Sequence, residues 1–142
     1  MKGKWWSVSG LVVIGSVLLN VSSCGRSQEL VSLQVQPTTE TFGSATTQVS
    51  ADAGLQVQLR ALGTYIHPPV TKDITSQVTW TSNTPQMVTV NANGVITATG
   101  LACGNTIISA TVKTNSSAGG ISSSGAVVTA FMTANVVCFI GP

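Results

Sequence analysis

The chain has 142 residues, of which 43% are hydrophobic and only 7% charged, with a formal net charge of +2. Lys2 and Lys4 account for that excess, because Arg26, Arg60, Lys72 and Lys113 balance Glu29, Glu40, Asp52 and Asp73. A neutral body offers no basic patch for nucleic acid or an anionic membrane surface, and so few carboxylates leave little for paired acid–base chemistry.

From Trp5 to Val21 no residue is charged, and Leu11, Val12, Val13, Ile14, Val17, Leu18 and Leu19 form an apolar centre behind the basic start. That is the pattern of a secretory signal. A spanning helix needs about 20 apolar residues, and this run is interrupted by Ser7, Ser9, Gly10, Gly15 and Ser16; an uncleaved anchor is the alternative. Val21-Ser22-Ser23-Cys24 resembles the lipobox of bacterial lipoprotein signals. The resemblance implies a cleaved signal peptide over 1–23, with palmitate-type chains on Cys24 as the new first residue. One acyl chain binds a membrane marginally, whereas two or three hold it firmly. Gly25, where an aspartate would retain the protein, resembles the outer-membrane sorting pattern of Gram-negative lipoproteins. The expected location is therefore the cell envelope, facing the periplasm or the cell surface. An ordinary secretory signal carrying a chance cysteine is the competing reading.

Residues 24–29 read as a short tether and 30–142 as one domain, too small for two. Its composition favours strands, and apolar residues recur with period two rather than 3.6. Leu33 and Val35 alternate with Ser32, Gln34 and Gln36 until Pro37 ends the strand or sends it to an edge. Leu55, Val57, Leu59 and Ala61 then alternate with Gln56, Gln58 and Arg60, placing one face inside. Val78 and Trp80 form a third strand. Val88 and Val90 lead into Asn93-Gly94, whose positive φ angles suit a tight hairpin, and Ile96 and Ala98 follow. Ile108, Ala110 and Val112 make a further strand, and Val127 to Cys138 the last. Short strands separated by Gly, Pro and Asn turns predict an all-β sandwich.

Residues 78–112, VTWTSNTPQMVTVNANGVITATGLACGNTIISATV, resemble the bacterial Ig-like domain of the group 2 type, found in intimin- and invasin-like adhesins. The matching pieces are Trp80 with Ser82-Asn83 and Pro85, Val88-Thr89-Val90, the Asn-Gly turn, Val95 to Ala98, Gly104, and Thr106 to Thr111. The resemblance implies an Ig-like β-sandwich of about seven antiparallel strands and an adhesion role. Two features depart from it: Cys103 in the loop before Asn105, and the long NSSAGGISSSG insertion in the final hairpin, whose Asn115-Ser116-Ser117 sequon is a coincidence in a bacterial protein. Trp80 reads as core, as in Ig-type sandwiches.

Cys103 and Cys138 are an even pair in an exported protein, which favours a disulfide. Their midpoint falls at Gly120-Ile121, inside the glycine–serine hairpin tip. Strands returning through that tip bring both cysteines to the same end of one ladder.

Catalytic equipment is sparse. His67 is the one histidine, and a triad would need Asp52 or Asp73 to orient it, with a serine beyond. One histidine and two distant cysteines give no zinc spacing, no alternating acids suggest calcium, and no phosphate-cradling loop opens a helix; no cofactor or metal is expected. The stretch from Gly63 to Ser76 reads as a long loop and a candidate binding site, with Tyr65, His67, Lys72 and Asp73. The function expected is non-catalytic adhesion, or binding of a protein or polysaccharide. One alternative is a carbohydrate-binding module using Tyr65, Trp80 or Phe131 as a platform. The other is a structural subunit of an envelope complex, in which a partner adds a strand along Val127–Val137.

Overall fold

The computed structural model describes residues 28–114, 117–118, 121–122 and 125–141. The signal segment, Cys24 and the Asn115 sequon lie outside the described residues, so the lipidation and cleavage expectations are carried by sequence alone.

Strands β1 (Glu29–Gln36), β4 (Arg60–Ile66) and β5 (Val70–Asp73) form one antiparallel group in the order β1-β4-β5. β3 (Gln56–Gln58) leads into β4 and pairs with β8 (Val95–Ala98), which in turn pairs with β7 (Val88–Val90). β3 and β4 are two pieces of one run broken at Leu59, whose N–H is taken by the Gly94 carbonyl at 2.8 Å. The opposing sheet has four strands in the order β2-β12-β9-β6, comprising β2 (Thr39–Phe42), β12 (Val127–Val136), β9 (Gly104–Lys113) and β6 (Thr79–Ser82). A single turn of 3-10 helix, η1 (Val49–Asp52), joins β2 to β3. Between β9 and β12 the short pair β10 (Ser117–Ala118) and β11 (Ile121–Ser122) continues the same hairpin.

The alternation read from sequence is the alternation that packs. Val35, Leu59, Ala61, Val88 and Ile96 from one layer meet Phe42, Trp80, Ile108, Ala110, Met132 and Val136 from the other in one buried cluster. Each fully buried aliphatic or aromatic side chain contributes about 1.5–3 kcal/mol of hydrophobic stabilisation. The expected alternation slips at one place: Leu55 lies before β3 begins and is exposed.

Three details differ from the sequence reading. First, the strands are not all antiparallel, because β2 runs parallel to β12, Thr39 facing Thr133 and Phe42 facing Val136. After Pro37 the chain crosses to the other sheet without reversing, so β2 keeps the direction of β1 and meets β12 running the same way. Second, the Asn-Gly turn is longer than a two-residue hairpin. Only Gly94 has positive φ, at +76; the Gly94 N–H closes on the Asn91 carbonyl at 3.0 Å, and Asn91 Oδ1 accepts from the N–H groups of Asn93 and Val95. This is a turn followed by one left-handed glycine. Third, Glu29 is already in β1 and Gln28 accepts a hydrogen bond from Lys72 at 2.5 Å, so the folded part takes in the end of the expected tether.

The final hairpin has the register that places the cysteines together. Lys113 faces Val127 and Gly104 faces Val136 along ten paired positions. Beyond that end of the ladder Cys103 and Cys138 are joined by a disulfide, with their Cα atoms 5.1 Å apart.

Candidate functional site

The stretch expected to be a loop is largely a hairpin. β4 and β5 pair Tyr65 with Val70 and Leu62 with Asp73, leaving His67 to Pro69 at the tip. Alternating Thr64, Ile66 and Thr71 supplied the strand signal, which the two prolines obscured. Tyr65 packs against the core, and the Lys72 ammonium lies 5.2 Å from the centroid of its ring, a cation–π distance. Asp73 Oδ1 accepts from the Thr75 N–H at 3.0 Å and from its hydroxyl at 2.6 Å, while Arg60 Nε lies 3.3 Å from Oδ2. The Thr75 hydroxyl, then its N–H and then Arg60 hold the Asp73 carboxyl below the usual carboxylate range. Of the four candidates, Tyr65 and Lys72 come together, Asp73 is paired with Arg60 and Thr75, and His67 stands exposed at the tip with φ +63.

Asp52 is the surprise among the carboxylates. It is only 3% exposed on η1, its carboxylate lies against Gly43, and Oδ2 has no hydrogen-bond partner. Gly43 has φ +78, and a side chain there would occupy the space of the carboxylate. Among the described residues no group of three His, Cys, Asp or Glu converges as a metal site would require.

A second surface is built by the four-stranded sheet. Inward residues Trp80, Ile108, Ala110, Met132 and Ala134 are buried, so their neighbours face out. Register places Thr81, Ser109 and Phe131 side by side across β6, β9 and β12, and places Ile107 beside Thr133 in the next row. The Asn83 N–H donates to the Ile107 carbonyl at 2.9 Å, which brings Asn83 into that row. Phe131 is 63% exposed and Ile107 48%. With Thr81, Asn83 and Ser109 they line an open hollow of roughly 240 Å³. Farther along, Thr79, Thr111 and Thr129 form another row, and the Thr111 and Thr129 hydroxyls are 3.3 Å apart. The charged side chains of β1, β4 and β5, namely Glu29, Arg60, Lys72 and Asp73, belong to the other layer. Within β6, β9 and β12 only Lys113, at the end of β9, is charged.

The bacterial Ig-like domain (group 2) family model matches residues 32–122. The chain belongs to that family. The group 2 Ig-like match runs from within β1 to the end of β11 and leaves β12 outside it, although β12 supplies Phe131 and closes the core. The chain is also similar to Ice-binding protein 1 of Shewanella frigidimarina, at 32% identity over 105 residues, 74% of this chain and 11% of that protein. It thus spans about a tenth of the relative's length. Group 2 Ig-like membership makes this a domain of a binding or adhesion class, and no helix among the described residues is long and apolar enough to cross a membrane.

Two platforms considered from sequence fare differently. Trp80 is 9% exposed and its Nε1–H donates to the Thr75 carbonyl at 3.0 Å, so it is a core residue and offers no face to a ligand. Phe131 is open. Its neighbours Thr81 and Ser109 went unnoticed because cross-strand adjacency needs the register of three strands, and the hairpin midpoint fixes only two. The strand-addition reading is also narrowed: β12 is paired along its whole length with β9, and Thr133 to Val136 also pair with β2.

Proposed function

We propose that this protein is an exported lipoprotein, held in the cell envelope by acyl chains on Cys24, whose single Ig-like domain binds an envelope or extracellular polymer without catalysis. The observation that carries the binding role is the outer face of the four-stranded sheet, uncharged around Phe131, which is exposed at its centre. A lone apolar side chain on a surface is ordinary, but an aromatic ring beside a second exposed apolar group and three hydrogen-bonding side chains, in a hollow, has the composition of a recognition site. The lipobox and the group 2 Ig-like family support the same reading, since that class of domain serves adhesion.

The test uses the purified lipoprotein reconstituted in neutral phospholipid liposomes and mixed with isolated envelope material. Liposomes carrying the protein should capture the material, and bare liposomes should not. The Cys24→Ala chain should fail to incorporate. Equal capture by bare and loaded liposomes would refute the binding role.

Adsorption to ice is a second reading, suggested by the name of the Shewanella relative and by the row of Thr79, Thr111 and Thr129 on three neighbouring strands, whose backbones repeat at the strand spacing of about 4.8 Å. The projecting ring of Phe131 breaks the flatness such a contact needs. Thermal hysteresis in the purified protein would favour ice; none is expected.

A further inference from the structure

We infer that the hollow between Phe131, Ile107, Thr81, Asn83 and Ser109 is a subsite for one ring of an uncharged polysaccharide. The inference rests on the binding role proposed above and specifies its ligand. Four features of the surface select this chemistry.

The first is charge. Every outward residue of β6, β9 and β12 near the hollow is neutral, and the nearest cation in those strands, Lys113, is four positions from Ser109 at the end of β9. A phosphorylated or uronic-acid polymer would lose hydration here and find no counter-charge. An uncharged polyol suffers no such loss.

The second is hydrogen-bonding capacity. β9, which runs beneath the hollow between β6 and β12, is paired on both sides, so its backbone groups are spent within the sheet. The side chains offer the hydroxyl of Thr81 and the amide of Asn83, which both donate and accept, and the hydroxyl of Ser109, which donates to the Thr81 carbonyl at 3.4 Å and can still accept. Sugar hydroxyls also do both. A peptide strand would instead seek unpaired backbone at a sheet edge.

The third is the ring. Phe131 at 63% exposure presents an aromatic face, and the C–H groups on one side of a pyranose carry the partial positive charge that an aromatic face attracts. Ile107 extends the apolar floor beside it.

The fourth is size. At about 30 Å³ per water, a hollow of roughly 240 Å³ holds on the order of eight waters, a number that one sugar ring with its hydroxyls can replace. The face is poor in the aromatic and Arg anchors that a protein partner would use.

Titration calorimetry of the full lipoprotein in neutral detergent micelles tests this, using soluble neutral glucan and mannan fragments, an anionic uronic-acid polymer, and isolated envelope protein as probes. Binding of a neutral fragment is expected, weakened at least tenfold by Phe131→Ala and retained by Phe131→Trp. Tyr65→Ala, on the far layer, should leave it unchanged. Trp80 fluorescence checks that Phe131→Ala and Tyr65→Ala are folded, and far-ultraviolet circular dichroism checks Phe131→Trp. Tighter binding of the anionic polymer, binding insensitive to Phe131→Ala, or binding of envelope protein alone would overturn the sugar subsite while leaving a binding role standing. Failure of every probe, with the liposomes also capturing nothing, would overturn both.

Discussion

Gly94 gives Trp80 its place: a Cβ at Gly94 would stand 3.0 Å from Cζ2 of the indole and 3.1 Å from the Leu59 carbonyl oxygen. The turn between β7 and β8 and the edge strand β6 of the opposite sheet are thus fitted to one another through a missing methyl group. Gly94→Ala also forces an L residue to φ +76, a left-handed conformation that costs about 1–2 kcal/mol. Destabilisation of roughly 2 kcal/mol or more is expected by urea denaturation, with an unchanged m-value. A variant as stable as the wild type would show that the indole is not seated as described.

Trp80 should behave as a buried indole. With Trp5→Phe and Trp6→Phe, Trp80 is the one emitter, and its fluorescence should be blue-shifted and poorly quenched by iodide. Efficient quenching would place the ring at the surface and return it to candidacy as a sugar platform.

The disulfide closes a loop of 35 residues, which in the chain-entropy model adds about 4 kcal/mol to stability. Cys103→Ala with Cys138→Ala should lower the urea midpoint accordingly. Denatured, unreduced protein should show no reactive thiol at Cys103 or Cys138. Two reactive thiols would contradict the bond.

Asp73 sets a pH dependence whose sign follows from its partners. The Thr75 hydroxyl, the Thr75 N–H and Arg60 favour the ionised form in the folded chain, so the folded carboxyl titrates below the unfolded one. Its contribution is complete above the unfolded carboxylate pKa and is lost as pH falls through the lower folded value. Asp73→Asn should be slightly less stable than the wild type at pH 7, and the two melting temperatures should converge in strong acid. A gap that widens on acidification would refute the assignment. The effect is small because the pair is exposed.

Period-two patterning revealed the core because burial alternates along β6, β8 and β9: Val78 and Trp80, Ile96 and Ala98, and Ile108 and Ala110 all turned inward. The position of Cys103 and Cys138 about Gly120-Ile121 matched to within one residue the register, which centres on Gly120, because a hairpin ladder is fixed by its turn. The parallel pairing of β2 was invisible, since TETF is too short to show a pattern and its partner is distant in sequence. The β4–β5 hairpin was hidden by Pro68 and Pro69, which lie at its tip and not within a strand. Asp52 gave no sign of burial because its neighbour Gly43 is nine residues away, and only the fold brings that missing side chain against it. Of the outer face, Phe131 was legible alone, but the hydroxyl and amide groups around it come from two other strands.

The presence of acyl chains on Cys24 at the head of a binding domain is tested most directly by the intact mass of the protein recovered from the membrane fraction. Cys24 should be the first residue, carrying the mass of a diacylglycerol and commonly a further acyl chain, with residues 1–23 gone. A protein that retains Met1, or begins elsewhere without acyl mass, would contradict it.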